Sequence, residues 1–173
     1  MAGDEPERIL QQAFSFDKVQ QILMAREPDD RDEAVALAMT TCLLQAFTSE
    51  LLLKCLIRIE GGVPPRSHDL LDLFNLLSTP TRNRLQAMWF DYVQRHPDTT
   101  EAFKQVGVTI EPELTSALAA GSGPHHFGNG EEDPDEDYVF YLSPLPTMLG
   151  RVVFELRPHW ANPPWGALSG DIA

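Results

Sequence analysis

Three groups of side chains in this 173-residue sequence have the types and spacing to do chemistry. The first is Glu50, Lys54 and Arg58, at i, i+4 and i+8, followed by His68 and Asp69. On a helix the first three form one charged stripe, which on a solvated face gains only about 0.3 kcal/mol per ion pair. Turned against a neighbouring helix or a cleft, the same stripe becomes a polar seam. His68 is a candidate general base, although an imidazole in the first turn of a helix more often ties that turn by a hydrogen bond. The second group is Arg151 and Glu155, one helical turn apart, with His159 four residues further on. The third is His125-His126 beside the six carboxylates of residues 131–137. It lacks the alternating Asp register and terminal Glu of a calcium loop, and adjacent imidazoles do not face one side of a helix. It therefore reads as a solvated acidic segment, and no metal ligand set is expected.

Helices must position these groups. Residues 31–59 contain neither Pro nor Gly and are apolar on most of a helical circumference, which predicts a helix at the centre of a bundle, contacted from several sides. Asp residues at 29, 30 and 32 offer its N-cap, and Gly61-Gly62-Val63-Pro64-Pro65 ends it, Gly supplying the left-handed cap and Pro refusing continuation. That turn has no following Lys-Ser/Thr and no preceding strand, so it is not a phosphate loop. Ser67 would cap a second helix, 68–77, with His68 in its first turn and Asp69 favourable at the positive end.

Amphipathic spacing predicts a further helix over 5–26, one from Pro80 or Thr81 to about Gln94, and shorter ones from Thr99 or Thr100 to Val106 and over 113–120. Arg82 and Arg84 fall in the first turn of the 80–94 helix, against its dipole. Residues 108–110 read as a strand-like connector. Residues 121–137 read as a mobile Gly-rich and acidic loop, 138–142 as an apolar block, and 148–156 as the last helix, started by Thr147. The tail 157–173 is too rich in Pro for regular helix.

Composition bounds the rest. Hydrophobic residues make up 43% of the chain, enough for one globular domain spanning 1–173. A net charge of -13 and a pI near 4.6 leave no surplus of cations for a phosphate backbone, so nucleic acid is an improbable partner. Cys42 and Cys55 stand on one helix, roughly 20 Å apart at its rise per residue, and cannot pair. Reduced thiols, an acidic start without an apolar leader and no run of about 18 uninterrupted apolar residues point to a cytoplasmic protein with no membrane span.

The segment Glu50-Leu51-Leu52-Leu53-Lys54-Cys55-Leu56, followed by His68-Asp69-Leu70-Leu71-Asp72-Leu73-Phe74, resembles the HEPN superfamily, with its E-x-x-x-K-x-L helix, Gly/Pro turn and H-D-L-x-x-L-F helix. Arg151-Val152-Val153-Phe154-Glu155 is similar to the R-Y-x-x-E ending of bacterial members. The resemblance implies an all-α, up-and-down helical bundle, often a homodimer, found among defence and toxin–antitoxin proteins. Catalytic members are metal-independent ribonucleases with an R-x4-6-H motif. Arg58 to His68 leaves nine intervening residues, Arg82 to His96 thirteen, Arg84 to His96 eleven and Arg151 to His159 seven, so none of these pairs satisfies it. Arg82-Asn83 is similar to the start of that motif, but Ala87, Met88 and Trp89 hold the positions of its His.

The expectation is a non-catalytic HEPN-like binding protein, a homodimer with a protein or small-molecule partner and no cofactor. Its polar seam would comprise Glu50, Lys54, His68, Asp69, Arg151 and Glu155. The alternative is a ribonuclease with the atypical pair Arg151 and His159.

Overall fold

Asp30 starts the longest element. Its backbone is extended and its carboxylate accepts a hydrogen bond from the Glu33 amide at 2.8 Å, satisfying one of the free donors at the start of α2 (Arg31–Ile59). At the other end Gly61 takes a left-handed φ of 85°. The Gly62 amide donates to the Ile57 carbonyl at 2.8 Å, and the Gly61 amide to Arg58 at 3.1 Å, a Schellman closure. A Cβ on Gly62 would lie 2.9 Å from Ile57 Cγ2, so both glycines serve the turn.

The computed structural model describes residues 5–105, 109–121 and 142–161, and these form seven α-helices with no strand among them. The others are α1 (Glu5–Met24), α3 (Leu70–Asn75), α4 (Thr79–Arg95), α5 (Pro97–Gln105), α6 (Leu114–Gly121) and α7 (Leu145–Leu156), followed by a 3-10 turn at Pro158–Trp160. The protein is all-α. α1 packs along α2, α7 and α3 pack on α2, and α4 and α6 close the bundle against α7 and α3.

The core gathers around the second half of α2. Leu52, Leu53 and Leu56 are fully buried among Leu10 of α1, Leu73 of α3, Trp89 of α4 and Leu149 of α7. Trp89 satisfies its indole N–H on the Glu111 carbonyl at 2.8 Å, and Gln86 accepts from the Leu114 amide at 2.9 Å, so α4 both packs against α6 and caps it. α1 runs unbroken through Phe16-Asp17.

Several expectations need correction. α2 is not surrounded along its length. Its buried residues, Gln45, Thr48–Glu50, Leu52, Leu53 and Cys55–Ile57, all lie in the second half, whereas the first half leaves Val35, Met39 and Leu43 exposed. By length and composition α2 passes the test for a membrane span, and the core helix of a soluble protein passes the same test. The second helix begins at Leu70, not His68, because Asp69 rather than Ser67 is its N-cap, accepting from the Asp72 amide at 2.8 Å. Ser67 instead accepts from the Asp69 amide at 3.1 Å. α7 begins at Leu145 because Pro146 occupies the first turn, where its missing N–H costs nothing. α5 likewise starts at Pro97. Thr109 and Ile110 form no strand, and Ile110 is buried in the core. Residues 122–137, the block 138–141 and the tail 162–173 lie outside the described residues.

Candidate functional site

The polar residues singled out from the sequence fall into two separate clusters. In the first, the Glu50 carboxylate, only 7% exposed, is held by two donors. Lys54 Nζ approaches its Oε1 at 2.6 Å across one turn of α2, and His68 Nδ1 lies 3.1 Å from Oε1 and 3.0 Å from Oε2. A carboxylate can only accept, so Nδ1 carries the proton in this contact. The stripe therefore is not a solvated face: Glu50 is buried, Lys54 is half-buried, and His68 joins them from the α2–α3 connection. His68 ties the α2–α3 connection to α2. Arg58, the third member, turns away to the Glu5 carboxylate at 3.1 Å. Asp69 is adjacent in the chain, but its carboxylate is used as the α3 cap.

The second cluster joins α4 to α7. Arg84 makes a forked contact with Glu155, Nη2 to Oε1 at 2.8 Å and Nε to Oε2 at 3.3 Å, and Arg151 Nε lies 3.4 Å from the same carboxylate. The hydrogen bond from Arg84 holds the Glu155 carboxyl below its ordinary range against the partial burial that would raise it, and the charges of Arg84 and Arg151 act the same way. Arg84, read from the sequence as a cation in conflict with its helix dipole, is thus the main partner of Glu155. Arg151 and His159 share no hydrogen bond, ion pair or ring contact among the described residues. His159 lies edge-on to Trp160, ring centroids 5.6 Å apart.

Sequence reasoning missed Glu60. From the end of α2 its carboxylate accepts from the Ser78 amide and hydroxyl, both at 2.7 Å, and from the Thr81 hydroxyl at 2.5 Å. The Ser78 side chain makes no cap of its own, so Glu60 places the negative charge at the start of α4, and Arg82 and Arg84 are tolerated there. Partial burial pushes the Glu60 carboxyl up, but the hydrogen bonds from Thr81 and Ser78 outweigh it and leave the group below its ordinary value of 4.5. The only hint in the sequence was an acidic residue directly before Gly61-Gly62.

The Cys55 thiol is pushed up to about 12 by burial, partly offset by the charge of Arg157, and Cys42 is raised by burial as well, so neither is an activated nucleophile. Among the described residues no group of three or more His, Cys, Asp or Glu side chains is arranged to hold a metal ion. Two open depressions of about 500 and 450 Å³ lie away from both clusters. The first lies between α4 and the start of α6 and is lined by Asn83, Gln86 and Phe90; the second lies between α1 and α7 and is lined by Asp17, Gln20 and Thr147. Neither depression is lined by Glu50 or His68. Compared with family models, curated proteins and solved structures, the chain matches none.

Two outcomes follow from the carboxylates. Lys54→Ala strands a buried carboxylate and is expected to cost about 2 kcal/mol in urea unfolding, and His68→Ala about 1 kcal/mol. Arg95→Ala, which breaks only the exposed pair with Asp91, should stay within about 0.5 kcal/mol. Equal losses in all three would contradict a buried clamp at Glu50. For Glu60 and Glu155 the folded carboxyls titrate below the unfolded ones, so their stabilisation is complete above the unfolded range and is lost as pH falls through the folded values. Stability measured from pH 7 down to about 3 should therefore decline, and Glu60→Gln should start lower at neutral pH and lose less on acidification. An acid slope unchanged in Glu60→Gln would exclude the cap.

Proposed function

We propose that this chain is a non-catalytic, HEPN-like helical protein that works in the cytoplasm through binding, in the setting of defence or toxin–antitoxin systems. The observation that carries this reading is the first half of α2, where Val35, Met39 and Leu43 stand 41 to 53% exposed at a spacing of four residues. Soluble surfaces rarely leave such rows of large apolar side chains in water unless a partner covers them. The order long helix, Gly/Pro turn and short helix agrees with the HEPN-like hairpin, and the polar residues within it are spent on one another. Glu50 neutralises Lys54 and orients His68, and Glu155 engages both Arg84 and Arg151.

A ribonuclease built on Arg151 and His159 finds less support. Arg151 is held by Glu155, His159 packs against Trp160, and a chain of net charge -13 offers RNA little electrostatic attraction. The test is incubation of the purified protein with mixed RNA in EDTA, alongside Arg151→Ala and His159→Ala. The expected result is equal, background-level RNA integrity in all three. Cleavage by the unaltered protein that disappears in either variant would establish the enzyme and overturn the binding reading.

A further inference from the structure

The depression between α1 and α7 contains a polar group that the fold leaves unserved. Gln20 of α1 lines it and is only 7% exposed, yet its side-chain oxygen Oε1 is buried and has no hydrogen-bond partner. The Nε2 of the same amide lies 3.7 Å from the sulfur of Met24, which lines the depression as well. A thioether accepts and does not donate, so this contact turns the nitrogen toward Met24 and leaves Oε1 as the orphan. A buried acceptor without a donor costs more than an ordinary hydrogen bond returns, so a ligand that supplies the donor gains from it. One water needs about 30 Å³ of space. The depression measures about 450 Å³, within the range of small-molecule sites.

The surrounding side chains select the chemistry. Asp17, one turn before Gln20, is also buried, and its carboxylate accepts from the Gln21 amide at 2.5 Å. The α1 wall therefore presents acceptors and a negative charge. Across from it the start of α7 brings the hydroxyls of Ser143 and Thr147, and Met24 and Pro146 add apolar surface. The complement is a positively charged group rich in N–H donors on a short apolar stem. An anion would approach Asp17 against its charge, and the net charge of -13 acts in the same direction.

We infer that the α1–α7 depression binds a small organic cation, an alkylguanidinium or alkylammonium, with its N–H groups on Gln20 Oε1 and Asp17 and its stem against Met24 and Pro146. Met24 is 63% exposed and its unbranched side chain is flexible, so it swings aside to admit the donor at little cost. The site shares no residue with the exposed stretch of α2 that carries the reading above, and the two are tested separately.

The experiment is an NMR titration of the full chain, labelled with nitrogen-15, against butylguanidinium, butyramide and butyrate. Butylguanidinium should shift amides within 17–25 and 143–147 and saturate with a dissociation constant of about 1 mM, a reasonable affinity for so few atoms. Butyramide should bind about tenfold more weakly and butyrate not at all. Gln20→Leu should weaken butylguanidinium by about tenfold while its thermal midpoint stays at or above that of the unaltered protein, because it removes an unpaired buried acceptor. Asp17→Asn should bring butylguanidinium and butyramide to similar affinities.

Absence of saturable shifts with butylguanidinium overturns the inference and leaves Gln20 to ordered water. Butyrate binding as tightly as the cation overturns it too, as does an affinity unchanged in Gln20→Leu. Should Gln20→Leu lose its helical circular dichroism, Asp17→Asn decides alone: an unaltered preference for butylguanidinium over butyramide overturns the site.

Discussion

A helix of 29 residues is about 44 Å long, and the core of this protein is only deep enough for its second half. This mismatch of length governs the rest of the molecule. From Gln45 to Ile57 the helix is wrapped by α1, α3 and α7 and carries Leu52, Leu53 and Leu56 into the centre. From Arg31 to Leu44 none of its residues is fully buried, and Val35, Met39 and Leu43 are exposed. The stability of the fold and the reactivity of its surface are therefore written on the same helix, one half each.

Carboxylates fasten the bundle at the end where α2 is buried. Glu50 holds the connection that carries His68, and one helical span later Glu60 holds the start of α4. Between them the Schellman closure at Gly61-Gly62 reverses the chain. Each carboxylate is matched to donors, which is what makes a buried or half-buried negative charge affordable in a protein that is already strongly acidic. Glu155 does the equivalent task between α7 and α4 with two arginines. Glu50 is buried, whereas Glu60 and Glu155 lie at the surface, and each of the three contacts ties two helices or a helix and a connection together.

Much of this was readable before the structure. The helix boundaries of α2, an Asp cap among residues 29, 30 and 32 and the Gly61-Gly62 stop follow from residue chemistry acting over one or two turns, and the structure selects Asp30 as the cap. The start of α3 was not, because Ser67 and Asp69 are both capable caps and only the packing of Leu70 and Leu73 decides between them. The depth of burial along α2 was beyond periodicity altogether: a helix apolar all round looks the same whether its neighbours run its full length or stop halfway. The partners of Glu60 and Arg84 were equally hidden, since Ser78 lies 18 residues away and Glu155 lies 71 away. Long-range polar pairs leave no trace in local spacing.

The two halves of α2 are expected to behave differently, and amide hydrogen exchange reads this along the helix directly. Residues 48–57, in the core, should be strongly protected, while residues 35–44 exchange readily. Protection that is uniform along α2 would contradict this division.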